Sequence, residues 1–395
     1  MKLTEETPFF FIYSVWTKNG EYREQVKRLV TDYDNYISLK LAGDDAYLSE
    51  KMVGYPAELD EVYAESFEEQ KKEWFSCVGD GIQECRNTWE HKKWNITDFP
   101  EFELAITIDR PELYYDFLQK DWTRFCHDYW KNNFLEHHTL SQKRVTRIYI
   151  GNQFCHNLFP RKELLFQVLE KALENNLAVT LAFSYIRNHL LEEIDELLQE
   201  LEVWCQSREK EAGKDQEEII VNDWAMPILL QGKPHLKPVL GVLLNKRRKD
   251  VRLPYKHGIG NHVDSLAENN LNCGFYQDYL KNTFDIQRFE FESCGYKVTI
   301  PDGHHSLHLP FFQTNTSQYC TLYAVCRYGD RGKQKLTENC PRYCNKKVFL
   351  YPKHLKMVGR YNSLFGYDEK ILWDEKQLQD YLEQGIDRIV VNVSL

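Results

Sequence analysis

The chain has 395 residues, of which 42% are hydrophobic and 28% are charged, a composition that excludes disorder as its main state. Its length predicts two domains, or one large domain with an extension. The formal net charge of −10 argues against a protein that coats nucleic acid through a general basic field.

The hydrophobic segments are short. None approaches the roughly 20 residues that a helix needs to span a bilayer. The longest apolar run near the start, residues 8–16, follows two glutamates and has no small-residue cleavage site. We therefore expect no signal peptide, no membrane anchor and a cytoplasmic location.

Two regions differ in pattern. Residues 1–98 show no repeating unit and are predicted to be an N-terminal module of unknown fold. Residues 99–395 alternate β-branched apolar runs with segments of helical periodicity. The predicted strands are 102–108, 145–150, 177–183, 219–221, 238–244, 288–291, 321–325 and 388–393. The predicted helices are 111–135, 161–176, 190–205, 274–282 and 376–384.

Strands that alternate with helices indicate parallel βα units. Eight of them predict an α/β fold, a closed (β/α)8 TIM-like barrel that occupies residues 99–395 and carries the N-terminal module as an extension. An open doubly wound sheet is the alternative.

The cysteines point to a metal centre. There are 11 of them, and in a cytosolic protein cysteines serve metals or catalysis more often than disulfides. Cys326, Cys340 and Cys344 follow one another at short spacings. Thiolates bind iron–sulfur clusters and zinc, so these three residues are predicted to be ligands of one centre.

The fourth ligand has two candidates. Cys320 is near in sequence, whereas Cys155 follows the predicted strand 145–150 just as Cys326 follows the predicted strand 321–325. Residues that follow the strands of a β/α barrel meet at one rim. Cys320 would lie at the opposite end of its strand, roughly 17 Å away at about 3.3 Å per residue. Topology therefore favours Cys155 and leaves Cys320 as the alternative.

Short motifs in a fixed order carry a resemblance to a known family. From about residue 100 to residue 395 the chain resembles the collagenase-like peptidase U family, and within it the UbiV-like branch. The motifs are RIYIGNQFC at 147–155, VNDW at 221–224, LN at 244–245, and Cys326 followed by CPRYC at 340–344.

The resemblance implies a β/α barrel with a [4Fe–4S] cluster. Its pattern of one early and three late ligands corresponds to Cys155, Cys326, Cys340 and Cys344, with zinc as the alternative metal. It also implies hydroxylation without molecular oxygen, on ubiquinone precursors or RNA bases, with prephenate as oxygen donor, and a heterodimer with a second family member. A fully cysteine-ligated cluster has no open coordination site, which favours electron transfer or a structural role.

Polar residues that follow the predicted fourth and fifth strands are candidates for substrate binding. A carboxylate substrate would be bound by arginine forks, and the same basic loop could contact RNA phosphates. The alternative is that this basic loop is simply solvated and binds no ligand. The candidates are Asn222, Asp223, Asn245, Arg247, Arg248 and Arg252. The spacing of His304, His305 and His308 also resembles that of metal ligands.

Three functions remain open from the sequence. The first is an iron–sulfur enzyme, or one subunit of it, that performs oxygen-independent hydroxylation or a related redox modification. The second is a non-enzymatic cluster-binding or zinc-binding scaffold for a partner. The third is a peptidase, although the sequence contains no Ser/His/Asp order and no His-Glu-x-x-His helix.

Overall fold

A computed structural model describes residues 2–6, 11–14, 17–22, 25, 55–58, 96, 99–212, 216–251, 266–330, 332–337, 339–351 and 356–393. Most of the predicted N-terminal module therefore lies outside the described residues. Within it, strand Lys2–Glu6 pairs in antiparallel fashion with strand Phe11–Ser14.

In the described part of the chain, eight parallel strands form a barrel. The strands follow one another around the ring in chain order, and a parallel bridge between Leu240 and Phe289 joins the two ends of the sheet. The predicted (β/α)8 TIM-like barrel is thereby confirmed, and the open sheet is wrong. The strands are Glu103–Ile108, Arg147–Gly151, Ala178–Ala182, Glu217–Val221, Leu236–Leu240, Glu290–Glu292, His305–Leu309 and Ile386–Val391.

Helices follow most of the strands and cover the outside of the barrel. The predicted helix 111–135 is in fact two helices, Pro111–Gln119 and Trp122–Asn132. Asp121 separates them because its carboxylate accepts a hydrogen bond from the Arg124 amide at 2.9 Å, which caps the second helix. Further helices are Lys162–Glu174, Leu191–Ala212, Ala225–Leu229, Gly274–Phe284, Thr321–Tyr328 and Glu375–Glu383.

The strands bury both faces. Their outward residues join the helices in one large apolar core. Their inward residues form a second, smaller cluster that includes Ala105, Ile220 and Val390. Such two-sided burial is typical of parallel sheets.

The prediction for the seventh strand was wrong. Residues 321–325 belong to helix Thr321–Tyr328, and the seventh barrel strand is His305–Leu309. A short apolar run cannot be assigned to strand or helix by periodicity alone. The true strand was missed because two of its five residues are histidines, whose side chains are nevertheless buried.

An insertion follows the seventh strand. It contains a five-stranded antiparallel sheet in the described part of the chain, together with helix Thr321–Tyr328. Its first four strands in spatial order come from after the seventh barrel strand, and the fifth comes from the predicted N-terminal module. The order is Phe311–Thr316, Ser363–Tyr367, Met357–Arg360, Lys347–Leu350 and Tyr55–Glu58. The late cysteines all lie in this insertion.

No helix among the described residues combines the length and the apolar character required to cross a membrane.

Candidate functional site

The carboxyl ends of the barrel strands surround a small cavity of about 40 Å³, which we call the mouth cavity. Its walls come from both the barrel and the insertion. Asp109, Gln153, Glu292 and His308 approach from the barrel side, and Tyr361 and Phe365 from the insertion. Chemistry in TIM barrels takes place at this end of the strands, so the mouth cavity is the natural centre of a functional site.

The turn after the second strand holds Cys155 beside the mouth cavity. Gly151 has a φ of 108°, and a Cβ atom there would lie 2.5 Å from the Ala182 carbonyl oxygen, so only glycine fits. The Asn152 side chain then accepts hydrogen bonds from the amides of Phe154 and Cys155, each at 2.9 Å. These contacts form an Asx turn, which fixes the direction of Cys155.

The insertion brings further cysteines toward Cys155. Cys320 is the N-cap of helix Thr321–Tyr328, and its Sγ donates to the Tyr361 carbonyl oxygen at 3.1 Å. Cys344 lies in a short 3-10 helix, where Arg360 donates to its carbonyl oxygen at 3.2 Å. Both residues are thus held by backbone contacts within the insertion.

The thiols of Cys155, Cys320, Cys340 and Cys344, which we call the cysteine group, affect one another electrostatically. Burial raises the pKa of the Cys155 thiol, and the charges of the other three thiols raise it further. Burial likewise raises the pKa of Cys320 to about 12 and that of Cys344 to about 11, and Cys340 adds to both shifts. The geometry agrees with this, because Cys340 lines one cleft together with His156 and Asn157, the two residues that follow Cys155.

The cysteine group contains three of the predicted ligands together with Cys320, and a ligand role for Cys326 stays a prediction. The predicted position of Cys320 at the far end of a strand is wrong, because the residue stands at the start of a helix. Cys326 lies six residues farther along that helix, about 9 Å at 1.5 Å per residue. Gly329, with a φ of 64°, ends the helix, and this glycine was a sequence signal for a helix.

Among the described residues, no three histidine, cysteine or carboxylate side chains already converge as a ready-made site for a single metal ion. The predicted histidine site is likewise not assembled. His304 is exposed and contacts Asp387, whereas His305 stacks on the Phe289 ring at 4.8 Å. His308 points instead into the barrel toward Glu290.

Two of the predicted substrate residues make structural hydrogen bonds near the barrel mouth. Asn222 donates to the Phe183 carbonyl oxygen at 2.7 Å and accepts from the Leu243 amide at 3.1 Å, so it ties neighbouring loops together. The Asp223 carboxylate accepts from the amides of Ala225 and Met226 at the start of a short helix. A role for either side chain in substrate binding stays a prediction.

The other predicted substrate residues are spread along one loop. Asn245 donates to the Glu290 carbonyl oxygen at 3.1 Å. Arg247 packs over the Tyr296 ring and contacts the Cys294 thiol, with its Nε and Nη1 atoms buried. Arg248 is exposed, and Arg252 lies outside the described residues.

The sequence did not reveal an ionic chain that crosses the barrel interior. The His308 ring contacts the Glu290 carboxylate at 2.5 Å, and the Tyr149 hydroxyl donates to the same carboxylate at 3.1 Å. Arg388 donates in turn to the Tyr149 hydroxyl at 3.1 Å. These residues could have been predicted from the sequence, because alternate side chains of each barrel strand point into the interior.

A larger cleft of about 800 Å³ lies beside the cysteine group, and Cys340 is part of its wall. Arg161, Arg342 and His156 line the same cleft, and the acidic helix Leu191–Ala212 forms the facing side. Neither arginine has an ion-pair partner among the residues described. Glutamates also line the cleft, so its wall carries charges of both signs: Glu163, Glu193, Glu196 and Glu200.

Comparison of the chain with known protein families, with curated proteins and with solved structures found no match in any of the three.

Proposed function

We propose that this protein is an iron–sulfur protein of the collagenase-like peptidase U type, in its UbiV-like branch. Its [4Fe–4S] cluster would serve an oxygen-independent hydroxylation, or a related redox modification, of a small molecule or an RNA base. The observation that carries the proposal is that Cys340 lines the same cleft as His156 and Asn157, the two residues after Cys155, while the Phe154 ring lies 4.9 Å from the Phe365 ring of the insertion. Residues more than a hundred and fifty positions apart thus meet at the carboxyl end of a β/α barrel.

The proposed ligands are the four members of the cysteine group. Cys320 takes the place that the sequence pattern assigned to Cys326. All four donors are thiols, the ligand type that iron–sulfur clusters use. In a cluster each thiolate binds a different iron atom, so the sulfurs lie farther apart than around one zinc ion. Zinc, which binds four thiolates around one ion, is the alternative metal.

Each part of the site has a distinct role in this proposal. When bound, the cluster supplies one-electron redox chemistry. Arg161 and Arg342 attract the anionic group of a substrate, for which prephenate is a candidate, into the cleft beside Cys340. The Asn152 turn and the Cys320 cap hold their thiols in place from the barrel and from the insertion.

Anaerobic purification tests the metal. We expect a brown protein with broad absorption near 400 nm, iron and acid-labile sulfide, and loss of all three in Cys155→Ala. Cys205→Ala is the matched control, because Cys205 is a buried thiol on the outer helix Leu191–Ala212. A colourless protein that contains zinc would contradict the cluster.

A second experiment addresses the partner. The purified protein is assayed for hydroxylation alone and together with a second family member from the same genome. Activity that requires both proteins supports the heterodimer, and activity of the single chain contradicts it. A loaded cluster without activity in either mixture would favour the scaffold function instead.

A further inference from the structure

Two buried polar atoms at the mouth cavity have no hydrogen-bond partner within the described part of the protein. They are Oδ1 of Asp109 and the hydroxyl of Tyr361. Both residues line the mouth cavity. Buried polar groups in folded proteins are nearly always satisfied, so each of these atoms needs a partner that the described residues do not supply.

The two groups are fixed from opposite sides of the cavity. Asp109 follows the first barrel strand, and its carbonyl oxygen accepts a hydrogen bond from Asn152 at 3.3 Å. Tyr361 belongs to the insertion, where its carbonyl oxygen accepts from the Cys320 thiol. Each backbone is thus held by its own element, and Oδ1 of Asp109 and the Tyr361 hydroxyl do not hydrogen-bond to each other.

The other ionisable groups of the cavity already have partners. Glu292 is paired with the buried Lys249, and Nε2 of His308 contacts the Glu290 carboxylate. The groups left over are a carboxylate oxygen, which accepts, and a phenol, which both donates and accepts. The volume of about 40 Å³ exceeds the space that one water molecule needs.

This pair of groups selects one kind of ligand. A hydroxyl group donates its proton to the carboxylate and accepts one from the phenol. An ammonium group can donate to both oxygens but leaves the Tyr361 proton without an acceptor, and a carboxylate cannot donate to Asp109 and is repelled by its charge. We propose that the mouth cavity binds a hydroxyl group between Asp109 and Tyr361, supplied by water or by a small hydroxylated molecule. The site does not depend on whether the cysteine group binds a cluster.

A pair of tyrosine variants tests the site by thermal unfolding of the full chain. In Tyr361→Phe the hydroxyl is lost. Tyr114→Phe is the matched control, since that hydroxyl is equally buried and donates to the Leu158 carbonyl oxygen at 2.9 Å. If a hydroxyl occupies the cavity, both variants lower the Tm by a few degrees. If Tyr361 is an unpartnered group, removing it leaves the Tm unchanged or raises it, which overturns the proposal.

A crystal structure of the full-length protein identifies the source. Isolated spherical density between Asp109 and Tyr361 supports water, and elongated density there supports a hydroxylated molecule. An empty cavity overturns the proposal. Iron content is measured on the same preparations, so that loss of the cluster is not mistaken for loss of this site.

Discussion

The guanidinium of Arg388 donates two hydrogen bonds to the carboxylate of Glu218 across the barrel interior, at 2.6 and 3.0 Å. The two residues belong to the eighth and fourth strands, which lie opposite each other in the ring. Burial raises the pKa of Glu218, but the charges of Arg388 and Arg147 outweigh burial and hold it at about 2. The amino-terminal end of this barrel is therefore filled by an ionic network in place of an apolar layer.

Removal of one charge from this pair should be costly. We expect Glu218→Gln to lower the free energy of unfolding by about 3–5 kcal/mol, because Arg388 then remains buried without its main partner. Denaturation in urea measures the change. The exposed pair Lys162–Glu200, 3.0 Å apart, is the control, and Glu200→Gln should cost less than about 1 kcal/mol. Equal effects of the two variants would contradict this account.

Stability should fall as the pH decreases from about 6.5 to about 4. Burial lowers the pKa of His138 to about 4, and it outweighs the hydrogen bond to the Leu372 carbonyl oxygen, which acts in the opposite direction. The other ring nitrogen accepts from the Leu140 amide at 3.1 Å, a contact that only the neutral ring makes. A lowered histidine pKa gives stability that is complete above the unfolded pKa and is lost as the pH falls toward the folded pKa.

The contribution of His138 is measured by comparing urea denaturation at pH 7 and pH 4.5. His138→Gln should lose part of the pH dependence, at most about 3 kcal/mol for a shift of this size. Burial also lowers the pKa values of His156 and His305 to about 4. These two histidines should therefore still contribute to the pH dependence of stability in the His138→Gln variant. The exposed His127 provides the control variant, which should keep the full dependence. A His138→Gln protein with the wild-type dependence would refute the assignment.

The two cysteines of helix Thr321–Tyr328 should differ in their effect on the cluster. Cys320→Ala should lose most of the iron and the absorption near 400 nm, because Cys320 is a member of the cysteine group. If Cys320 is the ligand in place of Cys326, as proposed, Cys326→Ala should retain them. Both cysteines are half-buried and belong to one helix, so each variant controls for the other. The opposite result would restore the ligand set inferred from the sequence.

The turn before Cys155 should tolerate no side chain at Gly151. Gly151→Ala requires a φ of 108° and places a Cβ atom 2.5 Å from the Ala182 carbonyl oxygen. We expect a loss of at least about 1–3 kcal/mol in unfolding free energy and a lower iron content, as the Cys155 turn shifts.

Gly274→Ala is the control, since no atom lies within 4 Å of its Cβ position. It should be neutral or slightly stabilising. Equal stability of the two variants would contradict the close packing at Gly151.

The sequence by itself determined the barrel, because each strand and helix of a βα unit has its own local periodicity. The runs at 102–108 and 388–393 overlap strands Glu103–Ile108 and Ile386–Val391. Their apolar character follows from burial on both faces, a property of any parallel sheet. Pro111 likewise marks the first position of its helix, as its sequence position indicated.

Only the tertiary structure decided which residues meet. Cys320 and Cys155 are 165 positions apart, and no local pattern indicates that the insertion packs on the turn after the second strand, where the Phe154 and Phe365 rings lie 4.9 Å apart. The same holds for Asp109 and Tyr361 at the mouth cavity, and for Arg388 and Glu218 within the barrel. Periodicity encodes the face on which a side chain lies, whereas contacts between distant elements depend on how the closed ring and its insertion pack together.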